Sequence, residues 1–199
     1  YNNNNLPLTS YTISIGDLSD IGEKLEHAKS CSILKVKLGT PKSDKLIIKE
    51  IRNFTDKLIR VDANEGWDLD TAIYMSKWLS NQNIEFIEQP FPANQIDKTI
   101  QLKKTSPLDI FADENSIRSN DIPIIKDAFD GINIKLMKCG SIEDAQEMIK
   151  LAKKFNLKIM LGCMVETSIG ITAAAHLSSE VDYVDLDGNL LISNDPYEG

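Results

Sequence analysis

Lys35 and Lys37 alternate with Leu34, Val36 and Leu38 in one short apolar run, while Asp62, Glu88, Asp113 and Lys135 each end another such run. Side chains on a strand alternate between its two faces, so the two lysines share one side and the aliphatic residues the other. Standing alone, that pattern is also the pattern of a half-exposed edge strand with its lysines in water. The acids raise a harder problem. Carboxylates about 4 Å apart repel by about 4 kcal/mol per pair at an effective dielectric near 20, which is large against total stabilities of about 5–15 kcal/mol. A divalent cation resolves the repulsion, and an all-oxygen set without His or Cys favours Mg2+, with Mn2+ able to substitute. The competing reading makes each acid only the cap of the helix that follows its strand.

Lys135 adds an amine opposite Lys35 and Lys37, and amines on two sides of a bound molecule suit proton transfer at carbon. A lysine works as a base only when neutral, and its ordinary pKa of about 10.4 is too high for that. Two residues along a strand span about 6.6 Å, over which two ammonium groups repel by about 2.5 kcal/mol, nearly two pKa units. The expectation is that Lys37 is the base and Lys35 its electrostatic tuner, with a nearby metal and partial desolvation supplying the remainder.

Such side chains converge only if a scaffold brings their strands together. Strands are expected over 10–15, 33–39, 58–64, 86–91, 110–114, 131–138, 158–164 and 183–188. Helices are expected between them over 19–30, 43–57, 68–82, 94–105, 119–129, 141–155 and 168–180, the second capped by Ser43. Each strand begins about 25 residues after the one before, as parallel βα units require. Eight such strands close into a TIM-type barrel, with an open doubly wound sheet as the alternative. At 199 residues the chain is short against the roughly 250 typical of that barrel. In a barrel the outward face packs on helices and must be apolar. Lys35, Lys37, Asp62, Glu88, Asp113, Lys135, Asp185 and Asp187 therefore point inward near the strands' C-terminal ends, where barrel sites are built.

Composition narrows the partners. A hydrophobic content of 42% supports one sizeable core, and a formal net charge of −8 argues against nucleic acid and anionic membrane surfaces. Cys31, Cys139 and Cys163 form no CxxC pattern, so neither a disulfide framework nor a zinc site is implied and a reducing cytoplasm fits. No apolar stretch is long enough to span a bilayer. Residues 1–8 read as a linker and 9–199 as the barrel, with its C-terminal part truncated, as in a domain cut from a longer protein.

The segments "LKVKLG", "VDANEGW", "IEQPF", "ADE" and "INIKLMKCG" together resemble the enolase superfamily, in its muconate-lactonising subgroup, over essentially the whole chain. The resemblance implies a modified (β/α)7β barrel completed by an N-terminal α+β capping domain that this chain lacks. It implies Mg2+ on Asp62, Glu88 and Asp113, and Lys37 with Lys135 as the pair that removes and returns an α-proton through an enediolate. "VDLDGNLL" resembles the Asp-x-Asp with which the group's dipeptide epimerases hold a substrate ammonium, here Asp185 and Asp187. "GCMVETSIGITAAAHL" and "SYTISI" also resemble those enzymes, which implies substrate contacts from Cys163, Met164 and Thr12. Asn64 and Glu114, beside the presumed ligands, would orient the site from behind.

The activity so implied is inversion of the C-terminal residue of an L,L-dipeptide, Ala-Glu by family default. Muconate cycloisomerase or o-succinylbenzoate synthase activity is the alternative within the family. Outside it stand a Schiff-base aldolase working through Lys135 and a barrel that binds without turnover. Cys163 has no histidine to activate it, and His27 and His176 read as surface or packing residues. Side-chain preference would rest with capping loops, and the oligomeric state is open, a homo-oligomer included.

Overall fold

Residues 6–197 are described by a computed structural model. Its strands are β1 (Ser10–Ile13), β2 (Ile33–Lys37), β3 (Leu58–Asp62), β4 (Ile84–Glu88), β5 (Asp109–Ala112), β6 (Gly131–Lys135), β7 (Lys158–Gly162) and β8 (Tyr183–Asp185). They pair in parallel in chain order within one eight-stranded sheet. A parallel bridge between Thr9 and Val184 brings the two edges together, and the Thr9 hydroxyl accepts the Leu186 N–H at 2.8 Å. The sheet is therefore a closed barrel and not an open doubly wound one. Of the expected linker, residues 1–5 lie outside the described residues, and 6–8 carry no regular structure.

The helices are α1 (Ile21–His27), α2 (Pro41–Phe54), α3 (Leu69–Leu79), α4 (Ile96–Lys103), α5 (Ile122–Ile125), α6 (Leu136–Cys139), α7 (Ile142–Lys154) and α8 (Ser168–Ala175). Three departures from the sequence reading concern the site's surroundings. The strand expected to reach residue 138 stops at Lys135, where the chain tightens into the single turn α6. Gly140, at φ +83°, ends that turn and donates its N–H to Leu136 O at 2.8 Å, a left-handed geometry that favours glycine. The helix expected over 119–129 is a 3-10 turn followed by the one-turn α5, and the one expected over 168–180 stops at Ala175. Finally, α2 begins at Pro41, so Ser43 lies inside its first turn. Proline suits that place because no intrahelical N–H is needed there.

What caps α2 is Asp44. Its buried carboxylate reaches back to the N–H groups of Gly39 and Thr40 at 3.1 and 2.9 Å and also accepts the Trp67 indole N–H at 2.7 Å. This one acid ties the loop after β2 to the loop after β3. The two loops pack so closely that a Cβ on Gly39 would strike the Ala63 carbonyl and one on Gly66 would strike Gly39.

Outward positions of the strands supply the apolar layer under the helices: Leu34 and Val36, Ile59 and Val61, Ile110 and Ala112, Ile132 and Ile134, Ile159 and Leu161 are all buried. Inward positions divide by height. Near the N-terminal end Phe86 stacks on Phe111 at 4.1 Å and Tyr183 meets both rings edge-on, with Met160 in the same cluster. The Arg60 guanidinium lies over the Phe86 and Tyr183 rings, bonded to Glu85 at 2.8 Å and to the Val184 carbonyl at 2.6 Å. This floor plugs the barrel, and the charged side chains stand above it.

Replacing Asp44 by Ala strands an indole N–H and two backbone donors in the interior, and is expected to cost about 3 kcal/mol. The check is the urea midpoint of the full chain followed by tryptophan fluorescence; Asp44→Asn, which keeps an acceptor, should lose less.

Candidate active site

Register delivers the side chains to one height. Lys37 pairs with Asp62 across β2 and β3, and Asp62 with Glu88 across β3 and β4. Lys135 pairs with Gly162, and Gly162 with Asp185, across β6, β7 and β8. Asp113 comes just beyond β5. In a ring of eight, β2 and β6 are four steps apart in either direction, so Lys37 and Lys135 approach from opposite walls.

One oxygen each from Asp62, Glu88 and Asp113 lies within 4.8 Å of the other two, and all three side chains are buried. Amines hold them in place. Lys35, 2% exposed, contacts Glu88 Oε2 at 2.7 Å, Asp185 Oδ2 at 2.9 Å and Asp62 Oδ2 at 3.4 Å. Lys37 reaches Asp62 Oδ2 at 2.6 Å, and Lys135 reaches Asp113 Oδ2 at 2.7 Å. Lys138, left without a role by the sequence reading, donates to Asp113 Oδ1 and to the carbonyls of Asp113 and Asn133 at 2.6, 2.6 and 2.9 Å.

The carboxylates respond differently to this setting. Burial pushes Glu88 up, Asp62 adds to the effect, and the counter-pull of Lys35 leaves it at about 7. Burial also pushes Asp113 up, but Lys138 and Lys135 outweigh it and hold the carboxyl well below the usual range. Lys35 was expected to act as a bare positive charge beside Lys37. Desolvation does push it down, yet Asp185, Glu88 and Asp62 prevail and its pKa stands well above the ordinary value. Its charge is thus largely spent on the acids around it. Burial pushes Lys135 down, as does Lys35, but Asp113 and Glu88 together prevail and it too stands above the ordinary value.

Glu88 Oε2 lies close to the Lys35 ammonium without hydrogen-bond geometry, and it is a buried oxygen with no hydrogen-bond partner among the described residues. An orphan acceptor in a cluster of three convergent hard oxygen donors fits Mg2+ as the group that would complete it.

Above the acids a cavity of about 170 Å3 is lined by Lys35, Lys37 and Lys135, by Asp185 and Asp187, and by Thr12, Cys163 and Met164, with Val165 and Leu191 completing its apolar wall. Asp185 accepts the Ser10 hydroxyl at 2.6 Å and Asp187 the Thr12 backbone N–H at 2.6 Å, so both acids are anchored on β1. Burial and Asp185 together raise Asp187. The Cys163 thiol is pushed up to about 12 by burial and these two acids, which removes it as a nucleophile.

Asn64 and Glu114 are placed unlike one another. Asn64 is exposed, at φ +45°, and it is its backbone N–H that reaches Asp62 Oδ1, at 3.0 Å. Glu114 lines a separate cavity beside Ala93 and Asn94, its carboxyl raised chiefly by burial. Two further groups support the acids. Asn133 donates to Glu88 Oε1 at 2.7 Å, and the buried Gln89 accepts the Asp113 N–H at 2.9 Å. Asn133 carried a signal, being two residues before Lys135 on an inward position; Gln89, on a left-handed backbone after β4, carried none from alternation.

Known proteins resemble this chain in sequence and in fold. An L-Ala-D/L-Glu epimerase from Bacteroides thetaiotaomicron is 47% identical over all of this chain and 52% of its own length. A substrate-liganded L-Ala-D/L-Glu epimerase from Bacillus subtilis superposes with a TM-score of 0.90 at 29% identity, over 97% of this chain and 57% of that one. A dipeptide epimerase from Methylococcus capsulatus, solved with Mg and the dipeptide L-Arg-D-Lys, gives 0.89 at 32% identity, over 96% and 57%. The chain spans about half the length of the curated relatives it matches. The family described as enolase C-terminal domain-like matches residues 20–189, and with the barrel and its ring of charges in place, this chain belongs to it.

Proposed function

We propose that the chain carries the catalytic barrel of a dipeptide epimerase, inverting the α-carbon of the C-terminal residue by two-base 1,1-proton transfer. The observation that carries the reading is the placement of Lys37 and Lys135 on opposite walls of one cavity, each tethered to a different acid, with Asp185 and Asp187 on a third side. An amine on either face is what inversion requires: one takes the α-proton and the other delivers a proton from behind. The names of the relatives support the substrate class, and that of the Bacteroides protein supports Ala-Glu within it.

Lys37, as a free amine, would accept the α-proton while Lys135, as an ammonium, donates its own to the opposite face. One proton enters and one leaves the substrate, and the two lysines exchange charge states. The reverse reaction exchanges their roles. Asp185 and Asp187 would hold the substrate ammonium, the carboxylate at Asp187 being the one less compensated within the protein. Thr12 would meet the substrate carboxylate, with Cys163 and Met164 as inert wall. Asp62, Glu88 and Asp113 would hold Mg2+, which supplies positive charge where the substrate carboxylate gathers negative charge as the proton leaves. Lys35 holds the acids of β3, β4 and β8 together and does not itself exchange protons.

In deuterated water with Mg2+ and L-Ala-L-Glu, the full chain is expected to place deuterium at the α-carbon of the C-terminal residue, read by NMR. Lys37→Ala and Lys135→Ala should each slow inversion by about 10²–10⁴-fold while leaving exchange from one epimer, a different one in each variant. Inversion at the parent rate by either variant would sink the two-base reading.

Metal binding has a pH signature of definite sign. In the metal-free protein Glu88 keeps its proton up to about 7, so its stabilising contribution is present below the ordinary carboxyl pKa and is lost as pH rises through 7. A cation must displace that proton. Calorimetric affinity for Mg2+ is therefore expected to fall about tenfold per unit as the pH drops below 7, with about one proton released, whereas Glu88→Gln should abolish the dependence.

A further inference from the structure

Lys138 is half-buried, its amine saturated, and it takes no part in the chemistry proposed above. Its three N–H groups meet three acceptors: Asp113 Oδ1, the Asp113 carbonyl and the Asn133 carbonyl. It does not line the cavity that Lys135 enters. The turn α6 puts it there: the chain leaves β6 at Lys135, makes one turn, and brings the side chain three residues later back beneath the strand end.

The contact matters because Asp113 is shared. Lys135 holds its Oδ2 and Lys138 its Oδ1. Each carboxylate oxygen of Asp113 thus has its own amine, and neither lysine alone sets where the carboxylate points. The Lys138 ammonium fixes the carboxylate, since it is itself anchored to two backbone carbonyls that cannot follow a side-chain rotation.

We propose that Lys138 is a positioning residue, whose ammonium holds the Asp113 carboxylate in place and, through the other oxygen of that carboxylate, the Lys135 amine. Its kinetic arm rests on the dipeptide reading; its metal arm does not.

The test uses the full chain with Lys138→Met and Lys138→Arg, their folding checked by circular dichroism and thermal unfolding. Lys138→Gln takes the place of the Met variant should that one not fold. By calorimetry, Lys138→Met is expected to bind Mg2+ about tenfold more weakly or worse, because Asp113 is no longer held, while Lys138→Arg keeps most of the affinity. Unchanged or tighter binding by the Met variant would overturn the proposal, showing that the lysine only opposed the cation's charge.

At saturating Mg2+, α-proton exchange is then followed from each epimer, with Lys135→Ala identifying the one served by Lys135. That exchange should fall about tenfold in Lys138→Met and the other by about twofold at most. Equal losses from both epimers would mark Lys138 as merely structural. Should the parent exchange neither epimer, it is the dipeptide reading that fails, and the calorimetric arm decides Lys138 alone.

Discussion

Crowded carboxylates inside a closed ring are the constraint on which the rest of this structure depends. Asp62, Glu88, Asp113 and Asp185 are all buried at the mouth of one barrel, and left to themselves they would unfold it or stay protonated. The chain answers with amines interleaved among the acids: Lys35 spans β3, β4 and β8, Lys37 meets β3, and Lys135 and Lys138 share the acid that follows β5. Compensation is nonetheless incomplete at Glu88, where the oxygen 2.7 Å from the Lys35 ammonium has no hydrogen-bond partner among the described residues and the carboxyl rises to about 7. Buried ion pairs of this sort contribute little net stability, since desolvation offsets most of the attraction. Their presence is better accounted for by what the remaining unmet oxygen can bind.

Much of this was legible because strand geometry is strict. Alternation with period two sent Lys35, Asp62, Glu88 and Lys135 inward before any coordinates, and the spacing of βα units closed the ring. Alternation says nothing, however, about which side chain on another strand lies opposite. Lys35 was therefore read as a free charge repelling Lys37, whereas the register of β2, β3, β4 and β8 surrounds it with acids. Nor does it report on residues past a strand's end. "INIKLMK" alternates only as far as Leu136 and breaks at Met137, yet the expected strand ran on to Lys138, so the turn α6 lay inside it, and with it the path by which Lys138 reaches Asp113. Ser43 was misread for a related reason. Pro41 moved the helix start back by two residues, and a buried carboxylate four residues past the cap did what a hydroxyl was expected to do.

The floor and the site are coupled through the same strands. Inward residues on β3 and β4 pass from Arg60 and Phe86 in the plug to Asp62 and Glu88 in the cluster above, a step of two residues, or about 6.6 Å. The aromatic stack of Phe86 on Phe111 thus fixes the spacing of the strands just below their acids. It also fills the N-terminal end of the barrel.

The gap between Lys135 and Asp185 has its own requirement, and Gly162 meets it. In register it lies between Lys135 and Asp185, an inward position where any larger residue would stand between the amine and the acid. A Cβ there would also collide with the Asn133 amide, whose nitrogen holds Glu88. One missing side chain therefore serves two ends: it leaves the gap across which Lys135 faces Asp185, and it lets Asn133 sit close enough to fix Glu88. A glycine inside a strand weakens the strand's own packing. Here the positions on either side in the sequence, Leu161 and Cys163, and the parallel partners on β6 and β8 hold the backbone in place, so the weakness is borne by the barrel and the vacancy is left to the chemistry.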